Sequence, residues 1–238
     1  MTNTKSEWQQ RLTQSPAQRI AIETLLAESS DYCFDYPWNG LEEKLSEAGE
    51  NHLKMIGYGS LLNPESAART ISNTPKIGHP PVIAFGAKRL FNYVMPQDVI
   101  ARYSVGVKYP GNMCAALNTR FTGKVDDVLN GRVISLHIED LDALRDREKG
   151  YNLMPVSFLP WDDIGSTPLL GFVLCATERP WQGNVYVNDS IEPFPPYLQV
   201  CRDGVELVSR EFHRCFLDTT KLADGVTCLA EWCTKTEK

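Results

Sequence analysis

Residues 131–159 read GRVISLHIEDLDALRDREKGYNLMPVSFL, and the fold class turns on how this stretch divides. GRVISLHI and YNLMPVSFL are rich in β-branched and apolar residues and read as strands. EDLDALRDREK between them reads as a helix, with Gly150 placed where a C′ glycine would end it. At about 100° per residue, Leu141, Leu144 and Glu148 fall in one narrow sector, while Asp142, Asp146 and Arg147 point elsewhere. Periodicity therefore places one carboxylate on an apolar face, at the unfavourable negative end of the helix dipole. A desolvated carboxyl favours its neutral form and becomes a candidate proton carrier. A bland reading stands beside this one: the helix ends early, and Glu148 meets solvent or pairs with Arg145.

Outward from this unit, further strand-like runs recur: LKMIGY, PVIAFGAKRLFNYV, SVGVKY, NMCAALNTRF and LLGFVLCAT, separated by Gly, Pro, Asn and Asp clusters. Strands in series with few helices do not alternate as a doubly wound sheet would. An α+β fold with a mixed, barrel-like sheet and flanking helices is expected. Residues 1–50 read as a helical N-terminal extension, in which Ser15 caps and Pro16 opens SPAQRIAIETLLAE, followed by a short helix in NGLEEKLSEAGE. Residues 51–205 form the main domain and 206–238 a helical or irregular C-terminal extension. PFPPYLQVCRDGVELVSREFHRCF reads as a proline-led helix with a break at Gly204.

The chain has 238 residues and a net charge of 24 − 30 = −6, with no run of Lys or Arg. Nucleic acid and anionic membrane are therefore poor partners. Seven cysteines without a C-x-x-C, a polar start (MTNTKSEWQQRLTQS) and no long apolar stretch point to a reducing, cytoplasmic setting. Cys215, Cys228, Cys233 and His213 match no common zinc spacing, so no metal is expected.

The second informative stretch is IGYGSLLN at 56–63, followed by NPESAARTI as a helix with Asn63 at the N-cap and Pro64 at N1. It lacks the third glycine of a dinucleotide fingerprint and the Gly-Lys-Ser/Thr of a P-loop. A plain strand-to-helix turn explains it. So does a backbone cradle, in which Gly57 and Gly59 admit a ligand close to the main chain and loop N–H groups face it. No G-x-S-x-G elbow surrounds Ser60, and none of the four histidines pairs visibly with a Ser or Cys.

Together, YGSLL (58–62) and LRDREKGY (144–151) resemble the two signature segments of the γ-glutamylcyclotransferase family. AALN, the run NGRVISLHIEDLDAL and the later PPYLQVCRDG add to the likeness, which spans about residues 53–205. The resemblance implies a compact mixed β-barrel and a cofactor-independent reaction. In that reaction the α-amino group of a γ-glutamyl amino acid, peptide or amine attacks its own γ-carbonyl, releasing 5-oxoproline. Carried over, Glu148 is the general acid/base, and Tyr58, Gly59, Ser60 and Leu61 form the substrate loop, mainly through backbone N–H groups. Tyr151 either lines the pocket or packs in the core. The family's loop carries Asn or Leu at the position of Leu61, which leaves the substrate subclass open.

The chemistry suits the residue types. An α-ammonium near pKa 8 and a glutamate near 4.3 differ by about 3.5 units, or ~5 kcal/mol, a gap that burial of the carboxyl narrows. Alternatives on the same scaffold are a non-catalytic binding module and an amide or ester hydrolase. Arg89 and Arg102 are candidate partners for substrate carboxylates, but both are read as surface cations and left out of the site.

Overall fold

The computed structural model describes residues 7–12, 15–69, 71, 78–104, 113–176 and 185–236. Five strands form a closed barrel in the order β1 (His52–Gly57), β5 (Val128–His137), β2 (Pro81–Phe85), β6 (Tyr151–Pro160), β7 (Leu169–Ala176). Four of the ring's pairings are antiparallel, and β7 returns to β1 in parallel at Met55↔Phe172. A second sheet, β4 (Ala115–Phe121), β3 (Ala87–Val94) and β8 (Thr220–Leu222), lies beside the barrel. The fold is α+β with flanking helices, as the strand-rich sequence implied. SVGVKY, read as a strand, lies almost wholly outside the described residues.

The long run PVIAFGAKRLFNYV is two strands, not one. Gly86 breaks it at φ +103, and Leu26 lies 2.8 Å from where a Cβ on that glycine would sit. Only a residue free to adopt positive φ and lacking a side chain lets the chain leave the barrel there and start the second sheet.

Local capping explains the helices. In α2 (Pro16–Glu28), Ser15 Oγ accepts from Gln18 N at 3.2 Å. In α4 (Pro64–Ala68), Asn63 Oδ1 accepts from Glu65 N and Ser66 N. α6 (Leu141–Arg147) sits between β5 and β6, preceded by a 3-10 turn at Ile138–Asp140. The proline-led segment forms α7 (Pro195–Glu206) and α8 (Arg210–Thr219). The expected break at Gly204 does not occur. The helices part at 207–209, where Ser209 Oγ caps α8 by accepting from Phe212 N at 3.0 Å. Gly204 instead permits a close approach, because a Cβ there would collide with the backbone of Leu62 and Asn63. The missing side chain lets α7 press directly on the turn that follows β1.

One apolar core runs through segments from both ends of the chain, including Trp8, Ile22, Trp38, Phe85, Phe172, Phe212 and Leu229. Trp8 Nε1 donates to Asp218 in α8 at 2.9 Å, and Phe34 exchanges two backbone hydrogen bonds with Leu153 of β6. Among the described residues no helix is long and apolar enough to cross a membrane.

Candidate active site

A cavity of about 650 Å³ opens at one rim of the barrel, where β1 and β7 end and β6 begins. Tyr58, Gly59, Ser60, Leu61, Glu148 and Tyr151 all line it. Six residues from two segments ninety positions apart thus face one space.

Glu148 is the C-cap of α6 at φ −96, so the helix does end one residue short of it. Its side chain nevertheless stays inside: Leu141 and Leu144 are buried on the same face, and Glu148 is 9% exposed. Arg145 does not claim it, because that guanidinium binds Glu42, Asp142 and the Pro37 carbonyl. Glu148 N bonds Leu144 O, Tyr151 N bonds Glu148 O, and Gly150 turns the chain at φ +84 into β6. The glycine is obligatory twice over, since a Cβ there would also lie 2.7 Å from the Tyr186 ring.

The N-terminal segment buttresses this turn from behind. Trp38 Nε1 donates to Tyr151 O at 2.8 Å, Tyr36 N donates to Asn152 Oδ1 at 3.1 Å, and Tyr36 Oη donates to Arg145 O at 3.3 Å. Sequence reading assigned these residues no part in the site. Their contacts span more than a hundred positions and leave no periodic trace.

In the loop after β1, protein side chains pack closely against both glycines. The space above Gly57 holds Leu61 Cβ and Ile134 Cδ1, 2.9 and 3.1 Å from a hypothetical Cβ. The space above Gly59 holds the Tyr197 hydroxyl at 2.5 Å. At both glycines a protein side chain takes the room of the missing Cβ, while Gly57 and Gly59 still line the cavity. The first N–H groups of α4 are also taken, by Asn63 Oδ1. Residues 60–62 form a 3-10 turn in which Leu62 N donates to Gly59 O and Asn63 N to Ser60 O. On α7, burial pushes the Tyr197 phenol up, and the Ser60 backbone beside its hydroxyl partly offsets this. Among the described residues, the N–H groups of Gly59 and Leu61 are those of this turn for which no protein acceptor is seen.

Tyr58 points away from solvent, and its hydroxyl donates to Leu174 O at 2.5 Å, beside Thr119, whose Oγ1 donates to the same carbonyl at 2.9 Å. Burial, the nearby Cys175 and the charge of Glu148 push its phenol well above the ordinary range. Tyr58 is an anchor, not a base. Tyr151 is also pushed well above its ordinary value, by burial first and by Tyr93, Tyr58 and Glu148 after it.

Arg89 is not on the surface. It is wholly buried behind the loop, where its guanidinium donates to Thr220 Oγ1 (2.7 Å), Asn130 O (2.7 Å) and Asn130 Oδ1 (2.8 Å). Longer contacts reach Thr219 Oγ1, Phe216 O and, at 3.5 Å, Tyr58 O. The Phe216 ring lies 4.2 Å beneath it, and the C-terminal end of α8 offers the negative end of its dipole. Burial lowers its pKa to about 10, which leaves it charged at neutral pH. Arg102 is exposed at the cavity rim and paired with Asp98 at 2.7 Å.

Tyr93 is the principal site residue that sequence reasoning missed. It sits in the cavity wall with its ring stacked on Tyr151, centroids 5.0 Å apart and 25° between planes. Only a register shift in β3 between Phe91 and Tyr93 sets this residue apart, and that is invisible without the partner strand. His213 turns to Glu206 at 3.4 Å, while Cys228 Sγ donates to backbone carbonyls of α8.

No protein-family model matches the chain, and no curated protein matches it. Among solved structures it is similar to one described as gamma-glutamyl cyclotransferase, at 16% identity and a TM-score of 0.46, covering 69% of this chain and 86% of that one. An uncharacterized protein from Homo sapiens matches at 15% identity and a TM-score of 0.46, over 70% and 87% of the two chains. YkqA from Bacillus subtilis matches at 14% and 0.46, over 73% of this chain and 55% of its own.

Proposed function

We propose that this protein is a γ-glutamyl cyclotransferase, converting a γ-glutamyl amide into 5-oxoproline and a free amine. The observation that supports it is the meeting of a buried carboxyl, Glu148, and the Tyr58–Leu61 loop across one cavity. The reaction needs little else from the protein. Nucleophile and electrophile belong to one substrate, so the site has only to fold the chain back and exclude water. Glu148 takes a proton from the α-ammonium, and the freed nitrogen attacks the γ-carbonyl carbon. A new C–N bond closes the five-membered ring as the carbonyl oxygen gains negative charge. The ring nitrogen of this adduct still carries two protons; one is lost to solvent, the old C–N bond breaks, and the proton held on Glu148 passes to the departing nitrogen, which leaves as a neutral amine. The N–H groups of Gly59 and Leu61 are the donors for the oxyanion.

The experiment is to incubate the protein with γ-glutamyl amino acids, γ-glutamylamines and glutathione and to measure 5-oxoproline, with Glu148→Gln alongside. Glutamine keeps the shape but carries no proton, so a loss of ~10²–10⁴ in kcat is expected. Release of glutamate instead of 5-oxoproline would indicate hydrolysis. Inactivity of the wild type on every substrate, or full activity of Glu148→Gln, would overturn the reading.

A further inference from the structure

A γ-glutamyl compound carries its α-carboxylate on the same carbon as the reacting amine. If that amine meets Glu148, two carboxylates share one end of the cavity, and the substrate's own must be offset by hydrogen-bond donors. Arg89 is sealed behind Tyr58 with its N–H groups given to neutral acceptors, and Arg69 and Arg102 stand at the exposed outer rim. The charge of Glu148 is felt instead by Tyr58, Tyr93 and Tyr151, and the Tyr58 hydroxyl is spent on Leu174 O.

We propose that the Tyr93–Tyr151 hydroxyl pair is the carboxylate subsite, with Tyr93 donating to the α-carboxylate of the substrate and of 5-oxoproline. This rests on the cyclotransferase reading for its ligand and on independent geometry for its place. The two rings stack in the wall of the cavity that Glu148 also lines, which sets the two phenols side by side. Burial raises both phenols, so both remain donors at any working pH.

The ring of Tyr93 has a second stacking partner. Tyr186 stacks on it at 6.2 Å and 16°, and Val94 N donates to Tyr186 O at 2.9 Å. At the register shift, Asn92 donates from Nδ2 to Asp189 and accepts from Asn118 Nδ2, while its backbone oxygen accepts from Asn188 N. Residues 185–194 are thus strapped over β3. So much scaffolding on one tyrosine is the arrangement a preorganised donor requires.

The test is calorimetric titration of 5-oxoproline and its uncharged carboxamide into wild type, Tyr93→Phe and Tyr151→Phe, with thermal unfolding to confirm that each is folded. Wild type should prefer the carboxylate tenfold or more, the range of a hydrogen bond to a charged group. Tyr93→Phe should erase most of that preference while leaving carboxamide affinity within about twofold, and Tyr151→Phe should reduce it about threefold. Should Tyr93→Phe fail to fold, the Tyr151→Phe and wild-type titrations decide. Absence of carboxylate preference in wild type, or its full retention in either folded variant, overturns the proposal. A preference that depends on Tyr93 without any 5-oxoproline formation would keep this subsite and refute the cyclotransferase. Turnover with a preference indifferent to Tyr93 would do the reverse.

Discussion

Two ionisable side chains are buried on opposite sides of the same loop, and they are buried for different ends. Arg89 is wholly enclosed, and neutral oxygens on β5, α8 and the loop meet its guanidinium. Glu148 is 9% exposed, and that small exposure opens into the cavity. The first is a charge whose hydrogen-bonding capacity the fold consumes. The second is a carboxyl the fold delivers to a space large enough for a small molecule. Burial alone does not single out a candidate catalytic group; burial beside a cavity does.

The comparison breaks most clearly at Glu148. Glu148→Gln should cost ~10²–10⁴ in kcat and change unfolding free energy by less than about 1 kcal/mol, since shape and packing are kept. Parallel turnover and urea-unfolding measurements check both halves. Arg89→Leu should invert the pattern by removing about 3–5 kcal/mol of stability, because Asn130 and Phe216 lose a buried donor. Urea unfolding measures this directly. An Arg89→Leu protein of wild-type stability would show that the network contributes nothing.

How far could this contrast be read in the sequence? Glu148 was visible because its signal is local: two leucines at helical spacing, and a glycine where the helix must stop. The caps at Ser15 and Asn63 were legible for the same reason, each lying within three residues of the N–H it binds. Arg89 was misplaced because its partners lie 31 to 131 positions away, and no pattern within a strand announces them. The glycines of the loop were read half correctly. They do mark a close approach, but what approaches is Leu61 and Tyr197. A glycine shows that space is needed without showing what fills it.

That point sharpens into a smaller effect. Gly59→Ala should cost about 1–3 kcal/mol, since its Cβ would fall 2.5 Å from the Tyr197 hydroxyl. Combining it with Tyr197→Phe, which removes that oxygen, should return part of the loss in a double-mutant cycle. Strict additivity would mean that the hydroxyl does not fill the space. Asn63→Ala should cost only about 1 kcal/mol, the ordinary value of an N-cap, read from a shift in the denaturation midpoint.

The parallel seam between β7 and β1 has a consequence for how such a site can change. In a ring of strands that otherwise alternate in direction, an odd number cannot close without one like-directed pair. Here that pair brings the C-terminal ends of β1 and β7 to the same rim, so the tyrosine just after one strand can bond the carbonyl of Leu174 near the end of the other. Adding or deleting a single strand would restore strict alternation, and the neighbour of β1 would then present its opposite end. Strand parity is thus a constraint on the chemistry: insertions that enter as hairpins preserve the anchor of Tyr58, and insertions of one strand abolish it.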